Sequence, residues 1–304
     1  MISVVIPCHN EAQSIGPLHE QLDEIFRSYG EEFEIIFIDD GSSDNSVDVI
    51  KAIDSSFVRY VSFSRNFGKE AAMLVGLQRA LGDRVIIMDG DLQHPPELVY
   101  QLLTSQDASG ADQVVARRKR TTDSLHRKLL SQFYYRLVNK MSDVEIHDGV
   151  GDFRLMTRRA VDAVLQLTEK TRFSKGLFAW IGFPTTYVDY QDNSRAFGES
   201  SWSMRGLVNY GLDGVMSFNT RPLRSMIVLG ISTVALFFAY LLWLIGDALI
   251  GGVVTPGYIT LVAIVTFIGG IQLLSIGIIG EYVGRTFLES KSRPHYIVAE
   301  ESEM

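Results

Sequence analysis

A chain of 304 residues, 46% of them hydrophobic, is long enough for one large domain, or a domain with an appendage, and buries a sizeable core. Its formal net charge of -8 argues against a general nucleic-acid binder, which needs a basic face to neutralise phosphates, so anionic partners have to be met locally. The single cysteine, Cys8, excludes an intramolecular disulfide and a cysteine-rich metal site, and reads as a small apolar filler after a strand.

The opening MISVVIPCHNE has a short apolar run with no basic stretch before it and is not expected to be a signal peptide. Ile2–Pro7, Glu34–Ile38, Val58–Phe63, Arg84–Met88 and Gln113–Ala116 read as strands separated by helix-like stretches, the α/β rhythm of a parallel sheet. Helix starts are marked by Asp44 before NSVDVIKAI and by Pro95 and Pro96 before ELVYQLL. Beyond 117 the pattern is less regular. ARRKR leads into an amphipathic helix expected over Ser124–Met141, GVGDFRLM looks like a turn and a short strand, and Arg195–Trp202 is a Gly- and Ser-containing loop. Over Ser203–Phe218 apolar residues recur every three or four positions, which predicts a helix lying on a membrane surface, or an ordinary core-facing one.

Met226–Gly246 and Tyr258–Gly280 are stretches of 21 and 23 residues without one Asp, Glu, Lys or Arg. Each is long enough to cross about 30 Å of hydrocarbon at about 1.5 Å per residue, which predicts a transmembrane hairpin. Arg221 and Arg224 precede the first stretch, Arg285, Lys291 and Arg293 follow the second, and the connecting loop carries Asp247 and no base. The positive-inside bias then places both chain ends and the preceding domain in the cytoplasm, with the tail after Tyr296 expected to be disordered.

Ligands of an open α/β sheet gather at the carboxyl ends of its strands, so the loops DDGSSD and DGDLQ are expected to face one cleft. Asp89 and Asp91 end a buried run, where carboxylates are costly unless a charge answers them. A divalent ion shared with a diphosphate does so, since Mg2+ typically takes one or two protein carboxylates plus phosphate oxygens. Asp39 and Asp40 form a second acidic pair, from which a carboxylate accepts from a base or ribose while Asp44 caps the next helix. SRNFGK brings Arg65 and Lys69 to the same end of the sheet, to meet phosphate or base, or to sit solvated at the surface. A Walker loop and a G-x-G-x-x-G turn are both missing, and the histidines lack metal-ligand spacing.

Taken in order, VIPCHNE, IDDGSSD, SRNFGKEAA, MDGDLQHPPE, GVGDFRLM and the ending RPHY resemble the family-2 glycosyltransferases of the GT-A fold, specifically the polyprenyl-phosphate branch that includes GtrB-type undecaprenyl-phosphate glucosyltransferases and dolichol-phosphate mannose synthase. The resemblance implies a Rossmann-like α/β GT-A domain over 1–202, a juxtamembrane amphipathic helix over 203–221, a hairpin over 222–284 and a cytoplasmic tail over 285–304. It implies that Pro7, Glu11 and Asp40 line a nucleoside pocket, with Asp39, Asn66, Lys69 and Asp89 completing a nucleotide-sugar site. Asp89, Asp91 and Gln93 would surround Mg2+ or Mn2+, and Arg117, Arg127 and Ser131 would meet the acceptor phosphate. Arg127 and Ser131, four apart on a predicted helix, share one face. Asp152 would lie beside the donor sugar.

The implied activity is inverting, metal-dependent transfer of a hexose, first glucose, from a nucleotide sugar, UDP before GDP, to polyprenyl phosphate. The implied setting is the cytoplasmic membrane, as a homo-oligomer, with a tetramer the first choice. One departure stands out: the family's G-x-S-K-[YW] loop reads Gly198-Glu199-Ser200-Ser201-Trp202, with Ser201 in the lysine's place; if that lysine meets diphosphate in relatives, either Arg195 or Lys175 substitutes here or the donor differs. Two rival readings are a processive polysaccharide synthase, whose Q-x-x-R-W motif is missing, and a non-catalytic membrane scaffold or sugar-binding protein.

Overall fold

The computed structural model describes residues 1–118, 139, 147, 149–170, 172–191, 221–251 and 257–302. The helix expected over 124–141 (apart from residue 139), the loop 195–202 and the helix expected over 203–218 lie outside the described residues, and so do Arg127, Ser131 and Ser201.

All five expected strands form. They are β1 (Ile2–Cys8), β2 (Phe33–Asp39), β3 (Val58–Phe63), β4 (Arg84–Ile87) and β5 (Gln113–Arg118), and between them run α1 (Ala12–Tyr29), α2 (Ser46–Lys51), α3 (Lys69–Arg79) and α4 (Glu97–Ser109). They are followed by β6 (Val150–Thr157), α5 (Arg158–Leu165), α6 (Ser174–Trp180) and β7 (Thr185–Tyr190), then by α7 (Arg221–Gly251), α8 (Tyr258–Ser290) and β8 (Val298–Glu301).

Side chains along a strand alternate between the two faces of the sheet, and the core divides accordingly. Val4 and Ile6 pack with Leu18, Leu22 and Phe26 of α1 and with Leu102 of α4, whereas Val5 packs with Ala72 and Val75 of α3 and with Val161 of α5. The result is helices on both faces of one buried sheet. In α1 the buried residues Ile15, Leu18, Leu22 and Phe26 recur every three or four positions, and Gly30 ends the helix in the left-handed conformation.

The strand order is β7-β5-β6-β4-β1-β2-β3-β8. From β4 through β3 the neighbours are parallel, as expected. The rest corrects the expectation of a purely parallel sheet. The segment read as a turn and a short strand is an eight-residue strand, β6, wedged antiparallel between β4 and β5. Gly151, Asp152 and Arg154 interrupt its apolar pattern, which is why it looks short in sequence. The tail is also not disordered after Tyr296, because β8 adds antiparallel to the edge of β3. Ala299, Glu300 and Glu301 are exposed, so β8 has no apolar alternation to read; its register comes from backbone pairing, with Lys51–Glu300 at 2.7 Å and Arg79–Glu301 at 3.0 Å beside it.

The described residues divide into two compact units, one holding the sheet with residues 293–302 and the other holding α7 and α8. Within α8, Phe267–Ser290 is long and apolar enough to cross a membrane; Ser225–Tyr240 of α7 is apolar but shorter. Large apolar side chains cover both helices, with Leu236 and Leu273 each 73% exposed.

At the amino end of the sheet Glu34, 5% exposed, accepts from Ser3 Oγ at 2.6 Å, Arg59 Nη1 at 2.7 Å and Leu81 N at 2.7 Å. Removing one member of a buried pair strands the other charge, so Glu34→Ala is expected to cost about 3 kcal/mol. A lowered unfolding midpoint of the full chain in detergent is the measurement; an unchanged midpoint would show that the network contributes nothing.

Candidate active site

The site is assembled where β1, β2, β3 and β4 end, with β6 entering from the opposite direction. Lys69, the first residue of α3, extends its ammonium between two carboxylates, 2.5 Å from Asp89 Oδ1 and 2.9 Å from Asp152 Oδ2. Asp89 follows β4 and Asp152 belongs to β6, so one cation ties three elements together. His94 Nε2 lies 3.5 Å from Asp89 Oδ2, and its ring packs against Phe153 and Tyr190 with centroids 5.0 and 5.4 Å apart.

The charges in this cluster reinforce one another. Burial disfavours the Lys69 ammonium, but Asp152 and Asp89 outweigh it and raise its pKa above the usual lysine range. Burial likewise pushes the Asp89 and Asp152 carboxyls up. Lys69 outweighs it at both, helped by His94 at Asp89 and by Lys175 at Asp152, so both are held below the ordinary carboxylate range. Both carboxylates are therefore ionised at neutral pH. Asp152 Oδ1 is buried without a hydrogen-bond partner among the described residues.

Backbone geometry brings more acidic groups toward Asp89. A Cβ added to Gly90 would stand 2.3 Å from Glu11 Oε2, so the Glu11 carboxylate lies against that peptide and would have to swing aside for a side chain there. Gln93 N donates to Asp91 Oδ1 at 3.1 Å, and Leu92 between them has φ 58°. A non-glycine residue in the left-handed region costs about 1 kcal/mol, and such strain persists where the surroundings impose it.

Asp39 and Asp40 are 1% and 4% exposed. Asp39 accepts from Ser62 Oγ at 2.8 Å and from Ser42 N at 3.2 Å. Asp40 accepts from Phe67 N at 2.6 Å and Gly68 N at 2.8 Å, so it organises the loop that delivers Lys69. Burial raises the Asp40 pKa, partly opposed by those two N–H groups. Gly41, at φ 64°, carries its backbone against the same loop, where a Cβ would come 2.3 Å from the Arg65 carbonyl carbon. Asn66 is exposed on this loop and Pro7 is buried in β1. Asp44 accepts from Ser46 N at 3.0 Å and Ala12 N at 3.3 Å, at the starts of α2 and α1.

Arg117 pairs with Asp189 at 2.6 Å, and its guanidinium carbon lies 5.2 Å from the Tyr187 ring centre. In register it stands opposite Val150, two residues before Asp152. Arg154 is buried, donates to Gly151 O at 2.8 Å and covers the Phe178 ring at 3.8 Å, a packing role within β6.

Sequence reasoning missed Glu70. Its carboxylate accepts from Ser174 N at 3.2 Å and from Ser174 Oγ, joining the first turn of α3 to the start of α6. Burial first, and the nearby Asp152 charge second, push its pKa up to about 7. The only signal for it in sequence is its place beside Lys69.

A mixed α/β sheet covered on both faces, with acidic groups gathered at strand ends, has the form of a GT-A domain. The profile described as Glycosyl transferase family 2 matches residues 3–165, and the chain belongs to that family and is a glycosyltransferase. It is 48% identical over 302 residues to "Putative glycosyltransferase CsbB" of Bacillus subtilis (strain 168), covering 99% of this chain and 92% of that one. It is 40% identical to the "Prophage bactoprenol glucosyl transferase homolog" of Escherichia coli (strain K12), covering 98% of each chain. It is also 40% identical to the "Bactoprenol glucosyl transferase" of Shigella phage SfV, covering 99% of each.

Because the folded pKa of Glu70 is raised from 4.5 to about 7, the native state binds more protons than the unfolded state between those values. Its contribution to stability is therefore full below about 4.5 and lost as pH rises through about 7. The difference in unfolding midpoint between wild type and Glu70→Gln, followed across that range, is expected to move against the wild type as pH rises. A difference independent of pH would show that Glu70 titrates normally.

Proposed function

We propose that the chain transfers a hexose, glucose first, from a nucleotide sugar to the phosphate of a polyprenyl lipid, with UDP-glucose the preferred donor. The observation that carries the chemistry is the meeting of Asp89, Asp152 and Lys69 at the strand ends. The lipid and the sugar are supported by near-full-length similarity to relatives named bactoprenol glucosyl transferases.

The residues fit a divalent ion that arrives with its substrate. No group of three or more His, Cys, Asp or Glu side chains among the described residues is placed to hold an ion alone. Asp89 and Asp91, with Gln93 beside them, offer two hard carboxylates, which suits Mg2+ or Mn2+ sharing its remaining ligands with phosphate and water. Such an ion offsets the charge that builds on a departing nucleoside diphosphate.

The protein's own part is mainly positioning and electrostatics. Glu11 and the loops held by Asp39 and Asp40, with Pro7 beneath and Asn66 at the rim, shape the nucleoside end. Lys69 keeps Asp89 and Asp152 ionised and in place. Asp152, with a buried oxygen that has no donor among the described residues, accepts from a sugar hydroxyl and orients the anomeric carbon. A phosphate monoester has a second pKa of about 6, so the acceptor is largely ionised at neutral pH and needs no strong general base. Attack from the face opposite the leaving diphosphate inverts the anomeric centre. Arg117, with Arg127 and Ser131, is assigned to the acceptor phosphate.

The apolar cover of α7 and α8 supports placing them in the membrane as a hairpin, since contiguous exposed apolar surface of this kind is a liability in water. Both termini and the catalytic unit then lie on the cytoplasmic side, where the headgroup phosphate of a lipid reaches the site by lateral diffusion. A homotetramer is the assembly the resemblance favours.

The test is transfer of labelled sugar from a panel of UDP- and GDP-sugars into extractable polyprenyl phosphate by purified full-length protein. One donor, UDP-glucose, is expected to label the lipid, and EDTA or Asp91→Ala to reduce the rate by about 100-fold or more. Donor hydrolysis with no labelled lipid would reject the acceptor; transfer indifferent to EDTA and to the variant would reject the metal.

A further inference from the structure

The segment that follows α8 belongs to the donor side of the site. Residues 297–302 run along the edge of β3, whose carboxyl end delivers the loop Ser64–Gly68 and then Lys69. Ser64 N donates to Ile297 O at 2.9 Å, so the segment fixes the first residue of that loop by its backbone. The Tyr296 ring stacks on Phe63 with centroids 5.2 Å apart and planes 14° from parallel, and Phe63 meets Phe67 edge-on at 5.8 Å. The Tyr296 hydroxyl donates to Gln78 Oε1 at 2.8 Å on α3, the helix that begins at Lys69.

The loop is thus held from two sides. Asp40 grips its far end through Phe67 N and Gly68 N, and the C-terminal segment grips its near end at Ser64 N and stacks on Phe63, the β3 residue that meets Phe67 edge-on. Gly68, at φ 96°, closes the loop, and the next residue is Lys69.

We propose that Tyr296 is a positioning residue: by stacking on Phe63 and bonding to Gln78 it sets the Ser64–Gly68 loop, and through it the Lys69 ammonium between Asp89 and Asp152. The inference deepens the proposed function and rests on its assignment of this cluster to the nucleotide sugar. It also extends the site beyond the segment 3–165 matched by the family profile, since the strap is supplied only after the two long helices.

The experiment uses full-length protein with Tyr296→Ala and Tyr296→Phe. Misplacing a binding group by a fraction of an ångström costs on the order of tenfold, so Tyr296→Ala is expected to raise the donor KM about tenfold with the polyprenyl-phosphate KM unchanged. Tyr296→Phe, which keeps the stack, returns the donor KM to within about twofold of wild type. Hydrogen exchange of the full chain is the second readout: amides of 63–70 exchange faster in the alanine variant while those of β1 do not. An unchanged donor KM with unchanged exchange at 63–70 overturns the proposal. So does a rise in both KM values with faster exchange across the whole sheet, which is the signature of a merely structural residue. If the wild type transfers no sugar to polyprenyl phosphate, the function proposed above fails, while exchange at 63–70 and the affinity for UDP still decide the role of Tyr296.

Discussion

The Lys69 ammonium between Asp89 and Asp152 is the contact on which the arrangement of the site depends. Two carboxylates at the ends of neighbouring strands repel, and burial worsens the repulsion by removing water. A cation placed between them reverses the sign of the interaction, and the benefit grows as the surroundings become drier. The cation itself starts a helix, where the backbone dipole disfavours positive charge. Two close carboxylates offset that cost, and Glu70, next in the same turn, accepts from Ser174 at the start of α6. The pair Lys69-Glu70 therefore turns one helix start into a joint: Lys69 fastens α3 to β4 and β6, and Glu70 fastens it to α6.

The sheet divides stability and chemistry between its two ends. At the amino end, Glu34 is satisfied by Ser3, Arg59 and Leu81, and Arg158 donates to the carbonyls of Ala80 and Gly82. Polar groups there are matched partner to partner. At the carboxyl end, among the described residues, Lys69 answers Asp89 and Asp152 together, and Asp152 keeps an oxygen without a donor. A concentrated field of this kind is tolerable because the opposite end and the two-sided core carry the fold. Open α/β sheets place ligands at the carboxyl ends of their strands for the same reason.

How much of this the sequence reveals follows from how local each feature is. The five strands from Ile2 to Ala116 show as apolar runs between turn residues, and Asp89-Gly90-Asp91 shows because it closes such a run. The antiparallel β6 shows only as a turn and a short strand, because Gly151, Asp152 and Arg154 break its apolar pattern, and its antiparallel place between β4 and β5 does not show because those partners lie far away in the chain. Nor does β8, whose exposed glutamates look like a solvated tail; only the free edge of β3 makes them a strand. The motif SRNFGK points Lys69 toward the cleft but not to its partners. Glu70 and Ser174, 104 residues apart, give no local sign of their contact. Asp40 is visible as a strand-end acid, yet its hold on Phe67 and Gly68 belongs to the packing of two loops that no spacing encodes.

The order of elements adds a constraint on how the site is completed. The chain leaves the catalytic unit after β7, forms α7 and α8, and only then returns as β8 to the edge of β3. An uncovered edge strand presents a row of unpaired backbone groups that invites pairing with another chain. In this chain the covering strand is synthesised after both long helices, so the edge of β3 is without that cover until they have been made. The loop that carries Lys69 begins at that same edge, and its first amide bonds to the returning segment at Ile297. The hold on Ser64 is thus supplied by a segment that follows both apolar helices in the chain. The same return explains why residues so poor in apolar pattern are ordered: they contribute backbone to an existing edge and charges to existing partners, and need no core of their own.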